Sequence, residues 1–242
     1  MIGLILVGGS GTRLQGVVSD RPKPLALVAG KPFLRYLTEH LFNNNFTKIY
    51  LSCFHLWKQI EEEFLPEIES GRIEIITEPR KLGTGGAISF AINKIFAKNI
   101  QTEEVLVCNG DSFLNFDPKK ALECHKTSGY PATIIATEVV NTGRYGVVSF
   151  DGTKLVEFKE KQPPKVPNET VIINAGVYII SKAMLKYISQ DYSKEFSFEQ
   201  DVVSNLLGNG LINIGCQVVN DRNFIDIGIP EDYARAQELF SR

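Results

Sequence analysis

Short apolar runs alternate with helical patterns through the first half of the sequence. The apolar runs have the length and β-branched content of strands that are buried on both faces. They cover residues 2–7, 48–53, 72–77 and 104–108. Between these runs, apolar residues recur at helical spacing over 31–42, 56–68 and 87–97. This alternation favours an α/β fold with a Rossmann-like, doubly wound sheet of mostly parallel strands.

The second half has the pattern of antiparallel strands. Residues 145–150 and 154–158 alternate on either side of Asp151-Gly152, which is a hairpin signal. Further strands are predicted at 132–140, 171–180, 212–219 and 223–225. Helical patterns lie at 183–188, 198–207 and 230–240. We therefore expect one domain, 1–242, with a mixed sheet whose additional antiparallel strands cover a ligand site.

The composition excludes some classes of function but does not identify one. The 242 residues are 43% hydrophobic, which is enough to bury a central sheet. The net charge of −2 gives no general attraction to nucleic acid or to an anionic membrane. The four cysteines lack metal-site spacing, as expected of buried thiols in a reducing cytoplasm. Because the first strand begins directly after Met1 and no apolar run reaches the length of a membrane span, we expect a cytoplasmic protein.

Glycine-rich and polar residues directly follow predicted strands, where doubly wound sheets bind their ligands. Gly8, Gly9 and Gly11 follow the first strand. The amides of this turn, together with Arg13 and Lys23, would make a cradle for polyphosphate. A tight turn with a solvated Arg13 is the alternative. Lys23 lies between two prolines, which restrict the backbone and hold the lysine in an extended segment.

Two aspartates at predicted strand ends are candidate metal ligands. Asp111 follows a strand behind Asn109-Gly110, and Asp226 follows a short apolar strand and precedes Gly228. Mg²⁺ takes a few hard oxygen ligands and fills its octahedron with phosphate and water. A helix-cap or turn role is the alternative for each aspartate. Two carboxylates from distant segments thus predict a Mg²⁺ site.

The motifs of the chain resemble, in order, those of the sugar-phosphate nucleotidyltransferases. The signature is Gly8-Gly-Ser-Gly-Thr-Arg-Leu with Arg21-Pro-Lys-Pro-Leu. The motifs that continue it are Leu82-Gly-Thr-Gly-Gly-Ala, Asn109-Gly-Asp, Arg144-Tyr-Gly-Val, Phe158-Lys-Glu-Lys, Asn174-Ala-Gly-Val-Tyr and Asp226-Ile-Gly-Ile-Pro-Glu-Asp-Tyr. Because they span essentially the whole chain, the resemblance implies that family's fold. It also implies a mainly nucleotide-binding half over 1–125 and a mainly sugar-binding half over 126–242.

The resemblance implies a reaction that uses Mg²⁺. An oxygen of a sugar 1-phosphate attacks the α-phosphorus of a nucleoside triphosphate, giving a nucleoside diphosphate sugar and pyrophosphate. Catalysis then depends mainly on aligning two anions and neutralising their charge. By matching positions, Arg13, Lys23 and Asp111 would be catalytic, and Asp111 and Asp226 would hold the metal.

The remaining site residues are also assigned by matching positions. The nucleotide would be held by Leu6, Gly8, Gly9, Gly11, Thr12, Arg13, Glu78, Gly83 and Thr84. The sugar phosphate would be held by Asn109, Gly146, Glu160, Lys161 and Asn174. The run Phe158-Lys-Glu-Lys departs from the usual Glu-Lys-Pro, which leaves the contact to the sugar phosphate open between Lys159 and Lys161.

Glu78 stands at the end of the third predicted strand, where members of the family present a residue that reads the base. A carboxylate only accepts hydrogen bonds, and guanine offers it two adjacent donors. Uracil and thymine offer one donor flanked by carbonyls, which a carboxylate repels. Glu78 therefore favours GTP. The alternative is a Glu78 that turns away and caps the helix beginning near Gly83.

Longer stretches resemble the D-glycero-α-D-manno-heptose 1-phosphate guanylyltransferases, which make GDP-heptose for bacterial surface polysaccharides. These stretches are 13–25, 28–37 and 224–237. Mannose 1-phosphate with GTP stays open as an alternative, as does a uridylyl- or thymidylyltransferase acting on another sugar 1-phosphate. A non-catalytic sugar-nucleotide sensor is a third alternative. The sequence also leaves open whether the chain forms a homodimer.

Overall fold

The computed structural model describes residues 1–9, 21–99, 101–140, 143–159, 161, 163, 166, 168–220 and 224–241. The strands in this part are β1 Ile2–Leu6, β2 Leu27–Val28, β3 Lys31–Pro32, β4 Lys48–Cys53, β5 Ile73–Thr77, β6 Glu104–Asn109, β7 Ser112–Phe113, β8 Ala132–Val140, β9 Val147–Asp151, β10 Lys154–Lys159, β11 Thr170–Ser181, β12 Gly215–Val218 and β13 Ile225–Asp226. The α-helices are α1 Phe33–Asn43, α2 Trp57–Glu63, α3 Leu65–Glu69, α4 Gly83–Lys98, α5 Pro118–Ser128, α6 Asn205–Gly208 and α7 Pro230–Phe240. Short 3-10 helices cover Lys23–Leu25 and Lys182–Tyr187, and a π-helical segment covers Phe198–Ser204.

A mixed sheet runs through the described part of the chain in the order β5-β4-β1-β6-β11-β8-β12-β10-β9. The first four of these strands are parallel to one another, and β12 is parallel to β8. β11 is antiparallel to β6 and β8, and the hairpin of β9 and β10 completes the antiparallel part. The predicted Rossmann-like mixed sheet with additional antiparallel strands is therefore confirmed.

Both faces of the sheet are buried around β1, which explains the continuous apolar run of that strand. Leu4 packs into one cluster of buried side chains with Ile88 and Ile92 of α4, whereas its neighbour Ile5 packs into the other cluster with Leu34 of α1. Successive strand residues point to opposite faces, so a strand covered on both sides has no polar alternation. No helix in the described residues is long and apolar enough to cross a membrane.

Several predicted elements differ in their detail. The helix predicted over 56–68 is two helices, α2 and α3, because Pro66 has no amide hydrogen and lies in the first turn of α3. The helix predicted over 183–188 is a 3-10 helix, and the one over 198–207 begins as the π-helical segment. α5 was not predicted, although Asp117 caps its first turn and Gly129 ends it in the left-handed region.

Candidate active site

Two cavities adjoin at the carboxyl end of the parallel strands. The glycine-turn cavity, of about 350 Å³, is lined by Gly8, Gly9, Lys23 and Glu78. The bulge cavity, of about 520 Å³, is lined by Gly146, Lys161, Asn174 and Asp226. Four residues line both cavities and so mark their boundary: Gly83, Thr84, Asn109 and Asp111. Two ligands can therefore lie side by side and meet at this boundary.

Lys23 holds the two predicted metal aspartates together at this boundary. Its ammonium donates to Asp111 Oδ2 at 2.6 Å and lies 3.7 Å from Asp226 Oδ1. The short antiparallel pairing of β13 with β7 places Asp226 opposite Ser112, directly beside Asp111. The backbone amide of Ile227 also donates to the Asp111 carbonyl at 3.0 Å. A two-residue strand pair thus joins carboxylates that are far apart in the sequence.

The electrostatics of this cluster leave a surplus of negative charge. Burial opposes ionisation of Asp111, but the charge and hydrogen bond of Lys23 outweigh burial and lower the pKa of its carboxyl. Burial and the nearby charge of Asp111 raise the pKa of Asp226 to about 6, although Gly228 donates its amide at 2.6 Å. Two hard carboxylates with one lysine fit a cation such as Mg²⁺, which completes its shell with phosphate and water. Among the described residues, no group of three or more His, Cys, Asp or Glu side chains could hold a metal ion.

Arg144 approaches the cluster from the side of the bulge cavity. It forms an ion pair with Asp232, and its Nη2 lies 4.0 Å from Asp226 Oδ2. Asp232 was not among the predicted site residues. Both residues belong to motifs quoted above, Arg144-Tyr-Gly-Val and the motif that begins at Asp226. The ion pair between Arg144 and Asp232 therefore brings these two motifs together beside Asp226.

Glu78 is buried beneath the glycine turn. Its carboxylate accepts the Ser52 hydroxyl at 3.0 Å and the backbone amide of Leu82, the residue before α4. Burial raises the pKa of Glu78, and these two hydrogen bonds oppose the rise. A Cβ at Gly8 would lie 2.8 Å from Glu78 Oε1, so glycine allows this close approach. Glu78 thus lines the glycine-turn cavity and also makes the helix contact that was the alternative interpretation.

The glycines at the start of α4 accommodate the chain at Phe196. Gly83 has a φ of +72°, and a Cβ there would lie 2.4 Å from the Phe196 carbonyl oxygen. Gly85 donates its amide to the same carbonyl at 3.0 Å. Thr84 lies between these glycines and lines both cavities. The glycines of this motif therefore allow the start of α4 to pack closely against the chain at Phe196, which lies in the other half of the sequence.

The structure separates the two lysines that were candidates for the contact to the sugar phosphate. Lys161 lines the bulge cavity, whereas Lys159 forms a surface ion pair with Glu157 at 2.8 Å. Asn174 starts an irregularity in β11, where the register with β8 shifts between Asn174 and Val177. We call the chain from Asn174 to Gly176 the bulge. Bulges of this kind re-aim side chains next to functional sites.

Some of the predicted residues lie outside the described part of the chain. They are Gly11, Thr12, Arg13 and Glu160. Other site residues were missed by sequence reasoning, chiefly Glu199 and Tyr178, which are hydrogen-bonded beside the bulge cavity at 2.5 Å. A π-helical segment often marks a functional site, but the sequence pattern around Glu199 reads as an ordinary helix.

Comparison with known proteins gives consistent matches along the chain. The profile of the nucleotidyl transferase family matches residues 2–241. The chain is 36% identical to D-glycero-alpha-D-manno-heptose 1-phosphate guanylyltransferase of Aneurinibacillus thermoaerophilus, over 98% of this chain and 97% of that protein. It is 31% identical to a putative mannose-1-phosphate guanyltransferase of Sulfolobus acidocaldarius, over 96% of this chain and 61% of that protein.

A solved structure also resembles the chain. The crystal structure of HddC from Yersinia pseudotuberculosis is 35% identical, with a TM-score of 0.79 and 99% of each chain covered. HddC complexed with GMP-PN matches with a TM-score of 0.78.

Proposed function

The chain belongs to the nucleotidyl transferase family, and we propose that it condenses GTP with D-glycero-α-D-manno-heptose 1-phosphate to give GDP-heptose and pyrophosphate. In this reaction a phosphate oxygen of the sugar phosphate bonds to the α-phosphorus of GTP. The bond between the α-phosphorus and the bridging oxygen breaks, and pyrophosphate leaves. The product would serve bacterial surface polysaccharides. Because both substrates are soluble phosphates, we place the reaction in the cytoplasm.

The single observation that carries this proposal is the position of Lys23. Lys23 lines the glycine-turn cavity, and its ammonium contacts Asp111, which lines both cavities, at 2.6 Å. A reaction between two phosphates needs positive charge where they meet, because their negative charges otherwise keep them apart. A simple binding protein would not need a buried lysine at that point.

The residues of this chain would divide the work between the two cavities. GTP would bind in the glycine-turn cavity, with its guanine read by Glu78. The sugar phosphate would bind in the bulge cavity, with Lys161 facing its phosphate. Asp111 and Asp226 would hold Mg²⁺, which when bound neutralises charge on the phosphate oxygens. Arg13, which resembles the family's phosphate-binding arginine, would grip the triphosphate.

The choice of heptose rests on the relatives. The heptose enzyme of Aneurinibacillus matches along 97% of its own length, whereas the mannose enzyme of Sulfolobus is covered over 61%. A guanylyltransferase for mannose 1-phosphate is the second candidate, because such enzymes also match nearly the whole of this chain. Both candidates use GTP and differ only in the sugar that fills the bulge cavity.

A matrix of substrates tests the proposal. Each of GTP, UTP, dTTP and CTP is paired with the 1-phosphates of the heptose, mannose and glucose, and pyrophosphate release is measured. We expect kcat/KM for GTP with the heptose to exceed that of any other pair by about tenfold or more. A preference for mannose 1-phosphate would support the second candidate. No release with any pair would support a sensor and reject an enzyme.

A further inference from the structure

Glu199 lies at the centre of a hydrogen-bond network that connects the two cavities. Its Oε2 accepts the hydroxyls of Thr84 and Ser197, each at 2.9 Å. Its Oε1 accepts the hydroxyl of Tyr178 at 2.5 Å. Three hydroxyl donors from three separate parts of the chain therefore converge on one carboxylate, which can accept all of them.

On one side the network reaches the boundary of the glycine-turn cavity through Thr84. The Thr84 hydroxyl donates to Glu199 and accepts the backbone amide of Phe198 at 2.9 Å. The Phe196 amide donates to the Leu82 carbonyl at 3.1 Å, which fixes the same segment to the start of α4. The orientation of Thr84 is therefore set by the segment that carries Glu199.

On the other side the network reaches the backbone of the bulge cavity. The side-chain amide of Asn174 donates to the Tyr178 hydroxyl oxygen at 2.8 Å. The backbone amide of Gly176 donates to Asn174 Oδ1 at 2.9 Å, across the bulge. The Asn174 backbone amide donates to the Gly146 carbonyl at 2.9 Å. Tyr178 is almost fully buried, and burial raises its pKa, so it stays a neutral donor to Glu199. Glu199 is thus connected to two residues assigned to the sugar, Asn174 and Gly146.

We infer that Glu199 is a positioning residue, which sets Thr84 and the bulge in a fixed relation so that the two substrates meet in line. This inference rests on the proposed function, because it concerns the alignment of a nucleotide and a sugar phosphate. Small displacements of reacting groups are costly in such reactions, because catalysis depends on alignment. Glu199 acts through Thr84 and Tyr178 rather than on the reacting atoms.

The chemistry requires a carboxylate at this position. A glutamine at 199 offers one acceptor oxygen and two amide hydrogens to three hydroxyls. At least one hydroxyl would have to rotate or lose its acceptor. Tyr178 has the least freedom, because its oxygen already accepts from Asn174 and its ring is buried. A buried hydroxyl without an acceptor is destabilising, so the bulge would shift.

Steady-state kinetics of four variants and one control variant test the inference. Glu199→Gln should lower kcat by about tenfold, because the substrates no longer meet in line, and should raise KM for both GTP and the sugar phosphate by about tenfold, because both sides lose their common anchor. Tyr178→Phe keeps the ring and should raise KM for the sugar phosphate by about fivefold, with KM for GTP changed by less than about twofold. Thr84→Val removes the hydroxyl and should raise KM for GTP. Thr84→Ser keeps the hydroxyl, so its KM for GTP should stay close to that of the wild type. Glu62→Gln, the same change at an exposed position of α2, is the matched control.

The results separate a positioning role from a structural one. The inference is overturned if Glu199→Gln lowers only the melting temperature while kcat and both KM values stay within about twofold of the wild type. It is also overturned if Tyr178→Phe raises the two KM values equally, because the two sides are then not distinct. Circular dichroism establishes that each variant is folded before it is assayed.

Failure of the proposed function gives a different pattern. A wild type that prefers another sugar phosphate rejects the heptose, and the variants are then compared with the preferred pair. For a wild type without turnover, calorimetry with a non-hydrolysable GTP analogue replaces the kinetics. Weaker binding by Glu199→Gln, by about fivefold or more, then supports the link to Thr84, and equal affinity overturns it.

Discussion

In residues 1–125, Glu78 and Asp111 stand just past the ends of parallel strands, whereas in 126–242 Asn174 and Glu199 lie within an antiparallel strand and a π-helical segment. Glu78 follows β5, and Asp111 follows β6. On the other side, Asn174 lies in the middle of β11 and Glu199 in the segment Phe198–Ser204. The parallel half therefore uses the edge that any doubly wound sheet provides, and the antiparallel half needs an irregularity to aim its side chains.

The difference shows where each half depends on the other. A group at a strand end is positioned by its own strand and by contacts to its immediate surroundings, as Glu78 is by Ser52 of the neighbouring strand β4. A group in a bulge or a π-helical segment is positioned by hydrogen bonds to distant parts of the chain, as Asn174 is by Tyr178 and Gly146. The first half is expected to tolerate loss of a neighbour better than the second, except at the boundary where the two halves meet.

The largest effect is expected at that boundary, with Asp111→Asn. The change keeps the shape of the side chain and removes the charge that faces Lys23 at 2.6 Å. We expect kcat to fall by about 100-fold or more, because charge that is positioned for the transition state is lost. The measurement is Mg²⁺-dependent pyrophosphate release. Asp151→Asn, at the exposed end of β9, is the control, and unchanged turnover in Asp111→Asn would exclude Asp111 from the metal site.

The next largest effect is expected for Gly83→Ala, which tests whether the glycine motif of the first half serves packing of the second. Gly83 and Gly71 have nearly the same φ, +72° and +74°, but a Cβ at Gly71 has open space around it. Gly71→Ala should lower the free energy of unfolding by about 1 kcal/mol through backbone strain alone. Gly83→Ala should lower it by about 3 kcal/mol, because the methyl group also collides with the Phe196 carbonyl. Urea unfolding measures both, and equal losses would contradict the packing role.

The two halves also differ in how much of their structure the sequence could predict. The strands of the first half and the polar residues that follow them were predictable, because apolar runs and glycine turns are local signals. The approach of Asp226 to Asp111 was expected from their positions at strand ends and from the resemblance, but the pairing of β13 with β7 that produces it was not, since it involves only two residues on each strand. No local pattern shows such a short pairing.

The hydrogen-bond network of the second half could not be predicted. Glu199 contacts Thr84, which is 115 positions away, and the helical pattern at 198–207 gives no sign that the segment is π-helical. The break between α2 and α3 had a visible signal, Pro66, and α5 had the capping residue Asp117. Local sequence signals were therefore sufficient to predict where helices begin and end, but they could not predict long-range contacts.

A smaller effect is expected for Glu78→Gln, which tests whether a strand-end group reads the base on its own. The amide repels one of the two adjacent donors of guanine, so the preference for GTP over UTP should fall by about tenfold. The measurement is kcat/KM for each triphosphate with a common sugar phosphate. Ser52→Ala removes a partner of Glu78 and leaves the carboxylate, so it should change the preference less. Retained selectivity in Glu78→Gln would mean that another residue reads the base.

The smallest effect concerns α5, the helix at the junction of the two halves, which packs on β8 and β12 of the second half. His125 is buried in α5, and its Nδ1 is 2.8 Å from Thr133 Oγ1 of β8. Burial lowers the pKa of His125 to about 4, from an ordinary value of 6.5. The native state therefore keeps the ring neutral where the unfolded chain binds a proton. Stability is fully present above pH 6.5 and is lost as the pH falls from 6.5 towards 4.

At pH 5.5 this linkage should lower the free energy of unfolding by about 1 kcal/mol relative to pH 7.5. His125→Gln should lack this part of the pH dependence, and His55→Gln, at an exposed position, should keep it. Urea unfolding of the three proteins at both pH values gives the comparison. Because His125 lines neither cavity, the KM values of His125→Gln at pH 7.5 should match the wild type. A change in KM would mean that α5 and the antiparallel strands on which it packs are coupled to the site, and the contrast between the two halves would then extend beyond the boundary.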